Sequence, residues 1–251
     1  MLIRLAYGFP SLAGERQATV RPLTGADEVR LAAHPDFGSE ASLDVAVAAT
    51  TTVAEHSVTV DDVKELSLGD RNALVLGLLA ATFGSRLSWT ISCGKCGERL
   101  DADVGISDLL TDIPTSVDLR TRADFRLPTP ADLVAITGMD AASARDVLLA
   151  RCVPGATELD EETIVAIEEA MSGADPLADI ELSLGCEACG AKTNASIDLA
   201  AELTVRITPN EALLQDVHAF ALAYGWSEPD VLALARPRRR QYLELIAELT
   251  P

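Results

Sequence analysis

Two Cys-x-x-Cys pairs, Cys93/Cys96 and Cys186/Cys189, constrain this chain more than anything else in its sequence. A pair of thiolates at that spacing bites one metal ion from a tight turn, and two such pairs complete a tetrahedron. Gly97 and Gly190 follow the pairs and permit the positive φ that such a knuckle requires. Four sulfur ligands leave zinc no open position for water, so the predicted site holds one structural zinc ion and performs no hydrolysis. The knuckles lie 93 residues apart, far beyond the spacing of a compact ribbon motif, so everything between them must fold out of the loop. Redox dithiols are the competing reading. Each pair, however, lies between two predicted strands, and a thioredoxin-like pair belongs at a strand-to-helix turn. Lys95 and Arg99 offset some of the thiolate charge while Glu98 and Glu187 add to it. Cys152 has no partner at metal spacing and reads as a buried core thiol.

Superposing Cys186 on Cys93 also aligns Cys189 with Cys96, Gly190 with Gly97, Ile197 with Val104, Leu199 with Ile106 and Leu203 with Leu110. A helix precedes each knuckle, so the predicted repeat is helix, strand, knuckle, strand, helix, each copy holding half a metal site. The first helix spans 71–83 with Asp70 as its cap and is apolar on nearly every side, as a central buried helix should be. Thr24 to Asp27 has capping-box spacing and starts a short helix. An Ala-rich helix is expected over 39–54, weakened by the stiff run Thr50, Thr51, Thr52, Val53. Between the knuckles, 117–120 and 124–127 read as short strands, followed by helices capped at Thr129 and Asp140. The expected fold class is α+β: a mainly helical body around a split zinc-ribbon-like core of two strand-knuckle-strand units, with a helical C-terminal tail. Its expected divisions are 1–65, an N-terminal region; 66–111, helix plus first knuckle; 112–160, an inserted α+β segment; 161–208, helix plus second knuckle; and 209–251, the tail.

The chain has 251 residues and a formal net charge of −19. A field of that sign repels phosphate backbones and anionic membrane surfaces, and it favours solubility and basic partners. The first ten residues lack a signal-peptide core, and no apolar run reaches the roughly 20 residues that span a bilayer. Five cysteines are too few for a disulfide scaffold, so a reducing compartment and a cytoplasmic location are expected. No catalytic constellation is legible: His34, His56 and His218 stand in no metal or triad pattern, and Gly69-Asp70-Arg71 lacks the glycines and lysine of a phosphate loop. The chain therefore reads as a non-enzyme with no small-molecule substrate.

In the tail, 210–224 reads as a helix stopped by Gly225, and Ser227 caps a second short helix. A third carries Arg236, Arg238, Arg239 and Arg240 on one side and Tyr242, Leu243, Leu245 and Ile246 on the other. The arginines are the one basic concentration in an acidic chain. They are suited to an acidic partner, to the chain's own carboxylates, or to phosphate. Trp226 serves either as an interface anchor or as a plug onto the core. Tyr224, Trp226, Glu228, Arg238, Arg239 and Arg240 are the candidate partner-binding residues.

The stretch Leu66-Ser-Leu-Gly-Asp-Arg71, the apolar run Leu74 to Gly84 and Cys93-Gly-Lys-Cys96 together resemble the baseplate hub assembly proteins of T-even-type phages. The likeness is nearest to their relatives in phage-derived contractile injection systems. The second knuckle, the tail segment Val217 to Glu228 with its Tyr-Gly-Trp-Ser-Glu, and Arg238 to Leu245 also resemble those relatives. The 112–160 insert and the N-terminal region carry no motif of this likeness. The resemblance implies a structural or chaperone-like role in a contractile-tail baseplate, with other baseplate, hub or spike proteins as partners. A free-standing zinc-ribbon-like adaptor touching nucleic acid or another acidic partner through the arginine cluster is the alternative.

Overall fold

The computed structural model describes residues 1–111, 125–207 and 209–249. Its N-terminal part holds a sheet that the periodicity of the sequence does not announce. Strands β1 (Leu2–Phe9) and β2 (Glu15–Val20) pair antiparallel, and β3 (Thr51–Val53) and β4 (His56–Ser57) extend the sheet in chain order. Helices α1 (Gly25–Ala32) and α2 (Glu40–Thr50) lie between β2 and β3. The Thr24 capping box is present, with Thr24 Oγ1 accepting from Asp27 N–H and the Asp27 carboxylate accepting from Thr24 N–H. The expected helix over 39–54 stops at Thr50. The β-branched residues that follow prefer extended backbone and enter the sheet, with Thr51 pairing Val20 and Thr52 pairing Thr19.

After α3 (Val60–Lys64) comes the central helix α4 (Leu68–Phe83). Its cap is Ser67, not Asp70: Ser67 Oγ accepts the Asp70 N–H at 3.1 Å. Asp70 sits one turn in and turns its carboxylate to β1, accepting N–H bonds from Ala6, Tyr7 and Gly8 at 2.7, 2.9 and 2.8 Å. Ala73, Leu74, Val75, Leu76, Leu78 and Leu79 are all buried, and the main apolar core surrounds them. That core draws on Ile3 and Leu5 from the sheet, Leu31 from α1, Leu43 and Val47 from α2, and Leu199 and Leu203 from near the second knuckle.

Strands β5 (Arg86–Ser92) and β6 (Arg99–Gly105) and helix α5 (Ile106–Thr111) complete the first unit. Then come α6 (Pro130–Ile136), α7 (Ala141–Cys152) and α8 (Glu161–Ala174), which runs through Gly173. The second unit continues from α8 with β7 (Glu181–Gly185), β8 (Lys192–Ser196) and α9 (Leu199–Arg206). Both units therefore show the expected order of helix, strand, knuckle, strand, helix. The hairpins form two separate two-stranded sheets, so the fold is mixed α and β with small antiparallel sheets, and among the described residues no continuous ribbon sheet joins them.

The strand expected at 117–120 lies outside the described residues, as does position 124. Residues 125–127 are irregular instead of a strand, tied to α7 by one backbone bond, Arg126 N–H to Cys152 O at 2.8 Å. Phe125, Leu127, Leu149, Cys152, Val153 and Ala174 form a small core of their own, which confirms Cys152 as a buried thiol. Asp132, fully buried in α6, takes Arg126 at 2.6 and 2.8 Å and Arg151 at 2.6 Å, and so ties α6 to α7.

The tail comprises α10 (Asn210–Tyr224), α11 (Glu228–Ala233) and α12 (Arg236–Leu249). Gly225 ends α10 in the left-handed region, and Ser227 opens α11 with Asp230 reaching back to its N–H at 3.2 Å. The tail docks on the N-terminal part through Arg236 N–H to Leu23 O at 2.8 Å and a bridge pairing Thr24 with Ala235.

Candidate metal centre

The two hairpins present the cysteines in matching geometry. In the first, seven strand pairs run from Arg86–Gly105 to Ser92–Arg99, and Cys93 follows the last of them. In the second, five pairs run from Glu181–Ser196 to Gly185–Lys192, and Cys186 follows. Each turn is closed by the same two backbone bonds. Cys93 N–H donates to Glu98 O at 2.7 Å and Gly97 N–H to Cys93 O at 2.9 Å. Cys186 N–H donates to Ala191 O at 2.8 Å and Gly190 N–H to Cys186 O at 2.8 Å. Gly97 and Gly190 have φ of 76° and 69°, the conformation for which a glycine was expected.

All four sulfurs lie within 4.8 Å of one another, and this is the group among the described residues whose ligand atoms could hold a metal ion. Across the joint, Cys93 Sγ lies 3.7 Å from Cys189 Sγ, and Cys96 Sγ lies 3.6 Å from Cys186 Sγ. Those separations are far beyond a disulfide bond of about 2.05 Å. They match the edge of a tetrahedron with metal-to-sulfur bonds of about 2.3 Å, which is about 3.8 Å. The donor set and its spacing fit a four-coordinate ion.

The electrostatics point the same way. N–H groups of Cys96 and Lys95 are directed at the Cys93 sulfur and pull its thiol down to about 6. The Glu98 N–H favours the Cys96 thiolate, yet the neighbouring sulfurs of Cys189, Cys186 and Cys93 outweigh it and push that thiol up to about 12. Four thiolates this close ionise together only around a cation.

Little else holds the joint. Cys93, Leu100 and Cys186 are its buried residues, with Leu184, Cys189 and Ala191 packed beside them. Gly94 N–H reaches Thr193 Oγ1 across the knuckles at 3.3 Å. Further from the sulfurs, Trp89 Nε1 donates to the Glu202 carboxylate, which also pairs with Arg206 at 3.0 Å, and so fastens β5 to α9.

The candidate partner-binding residues gather elsewhere, on the tail. Phe220, Tyr224, Trp226 and Tyr242 form a cluster of four rings with centroids 5.2 to 6.0 Å apart. Trp226 is half-buried in this cluster, Tyr224 is exposed at its edge, and Glu228 is exposed at the start of α11. Arg238 lies over the Tyr242 ring at 4.8 Å, and exposed Arg240 pairs with Glu244 at 3.4 Å. Arg239 faces inward: it is 2% exposed and bonds Glu28 of α1 at 2.5 Å and Asp216 of α10 at 3.2 Å. Arg236 takes the other Glu28 oxygen at 2.6 Å. Self-pairing, one of the three uses open to the arginines, is thus what Arg236 and Arg239 do. Glu28 was not legible as their partner, because more than 200 residues separate it from them.

A family model described as T4 bacteriophage base plate protein matches residues 9–172. The chain belongs to this family. The baseplate match begins at the last residue of β1 and takes in β2 to β4 of the N-terminal sheet, the central helix, the first knuckle and the insert. It thus covers the insert and the N-terminal region from residue 9 onward, neither of which carried a motif of the resemblance, and it stops before the second knuckle and the tail. No curated protein and no solved structure matches the chain. No described helix of this baseplate-family chain is long and apolar enough to cross a membrane.

Proposed function

We propose that this chain is a structural or assembly component, chaperone-like and non-enzymatic, of the baseplate of a phage-like contractile tail or injection system, stabilised by one zinc ion on Cys93, Cys96, Cys186 and Cys189. The family match over 9–172 carries the baseplate assignment. The convergence of four sulfurs from two hairpins supports the metal, and zinc is the ion that a closed tetrahedral thiolate set most commonly takes. With no ligand position left for substrate, the ion acts by joining the two units.

The partners are other baseplate, hub or spike proteins. The tail patch of Tyr224, Trp226, Glu228, Arg238 and Arg240 is the contact surface, because aromatic residues and arginine dominate the energetics of protein interfaces. The protein is made in the cytoplasm and works within or on the way to a tail-like particle. Burial of Arg239 against Glu28 and Asp216 favours this reading over a nucleic-acid adaptor, since it removes a cation from the arginine cluster.

Affinity capture of the tagged full-length chain from cells making the particle tests the proposal. Co-purification of baseplate or spike proteins together with one zinc per chain is expected. A partnerless chain, or one with strongly salt-dependent DNA affinity, would overturn it.

A further inference from the structure

Helix α6 packs against α2 and α3 and leaves a cleft of about 760 Å³ beside them, well within the size of clefts that hold ligands. One wall is apolar, built from Leu133 and Val134 of α6, and Val134 is 59% exposed. The other wall is charged. Asp36 and Glu40 stand exposed on it, and Asp44 and Arg71 line it at 2% and 3% exposure. A second cavity of about 350 Å³ shares Glu40, Arg71 and Leu133 with the first and continues to the exposed Asp179 and Asp198 of the second cysteine unit. The two together make a groove with room for several residues of extended chain.

Its charge is unbalanced. The two cations on its walls are committed, Arg71 to Glu40 at 2.6 Å and Lys64 to Asp61 at 3.6 Å. Asp36 has only His34 beside it, at 3.9 Å, while Asp179 accepts from Ser196 Oγ at 2.8 Å and Asp198 from Ala201 N–H at 2.9 Å. None of these three aspartates has a lysine or arginine partner among the described residues. Deeper in, Arg71 Nη1 and Asp44 Oδ1 lie 3.6 Å apart, and neither makes a hydrogen bond among the described residues. A buried donor and a buried acceptor left in that state are costly. The C=O and N–H of one residue in an extended segment point to the same side, and together they suit such a pair.

We infer that this groove is the docking site for an extended, basic segment of a partner protein. Lysine or arginine side chains of the segment pair with Asp36, Asp179 and Asp198, and its apolar side chains lie on Leu133 and Val134. The field of a chain carrying −19 draws such a segment in and repels an acidic one. The larger cleft lies wholly within the residues that the baseplate family model matches, whereas the tail patch lies outside them. The inference rests on the assembly role for the existence of a partner, but not on the metal or on the tail patch.

The test places a benzophenone photo-crosslinker at position 134 of the full-length chain in cells making the particle and identifies the crosslinked peptide by mass spectrometry. The expected product joins this position to a segment of another protein that carries lysine or arginine. Its yield should fall about ten-fold in Asp36→Lys. It should stay unchanged in Glu169→Lys, the same charge change on the exposed surface of α8 outside the groove. Unchanged yield in Asp36→Lys, or equal loss in both variants, would overturn the inference. So would a crosslink to residues 112–124 of the same chain, to a second copy, or to a segment without basic residues, or no crosslink at all. Baseplate or spike proteins captured by the tagged chain without that crosslink would sink the groove alone, and a chain that captures none would sink the assembly role with it.

Discussion

The central body and the cysteine joint solve the same problem, holding distant parts of one chain together, with opposite means. Around α4 the body buries Leu74, Val75, Leu76, Leu78 and Leu79 against the sheet, α1, α2 and α9, and its cohesion is apolar area removed from water. Among the described residues, the cluster at the joint buries Leu100 besides its cysteines Cys93 and Cys186. Two short hairpins with so little between them are marginal in water. The difference teaches that the proposed metal would supply at the joint what packing supplies in the body, and that each should be separable from the other by experiment.

Removing the metal should break the comparison most sharply. Structural zinc in small domains is worth on the order of 10 kcal/mol. Chelation, or Cys186→Ser, should therefore abolish binding and expose the β5 to β8 amides to fast exchange while α4 stays protected. Equal loss of protection in α4 would mean that the body depends on the joint. Next in size, Leu78→Ala opens a cavity in the body at a cost of about 3 kcal/mol. Denaturant unfolding should show that loss, and metal analysis should still find one ion per chain.

A third region sharpens the contrast. In the insert, burial works against the charge on Asp132, but the bonds from Arg126, Arg151 and Thr129 win and hold its carboxyl well below the usual carboxylate range. A depressed value contributes stability above the ordinary range that is lost as pH falls below about 4. Asp132→Asn should cost about 1 to 2 kcal/mol at pH 7, with the difference shrinking in acid. Stability curves at both pH values check this, and metal content should not change. The smallest effect is expected in the tail, where Trp226→Ala should cost about 1 kcal/mol from the ring cluster. The same variant should reduce recovery of partners in the capture experiment.

What could be read from the sequence divides along the same line. Cysteine spacing carries its own chemistry, so the two knuckles, their glycines and the repeated unit were legible. Helices with strong caps, at Thr24, Thr129, Asp140 and Ser227, were legible as well. The N-terminal sheet was not, because β1 buries neighbouring residues such as Leu5 and Ala6, which breaks its alternation, and β3 and β4 have three and two residues, too few to show a period of two. Asp70 was misread as a cap because an acid near a helix start suits the cap and the first turn equally. Its bonds to β1 and the pairing of Glu28 with Arg236 and Arg239 depend on tertiary contacts that no local pattern encodes. The tail arginines illustrate the consequence: sequence located the cluster, while only the fold separates inward Arg239 from outward Arg238 and Arg240.

The most direct measurement is X-ray absorption at the zinc edge, with metal quantification, on native full-length protein. One ion per chain with four sulfur neighbours at about 2.3 Å is the expected result. A metal-free chain with its hairpins intact, or an ion bound by nitrogen and oxygen, would contradict the account.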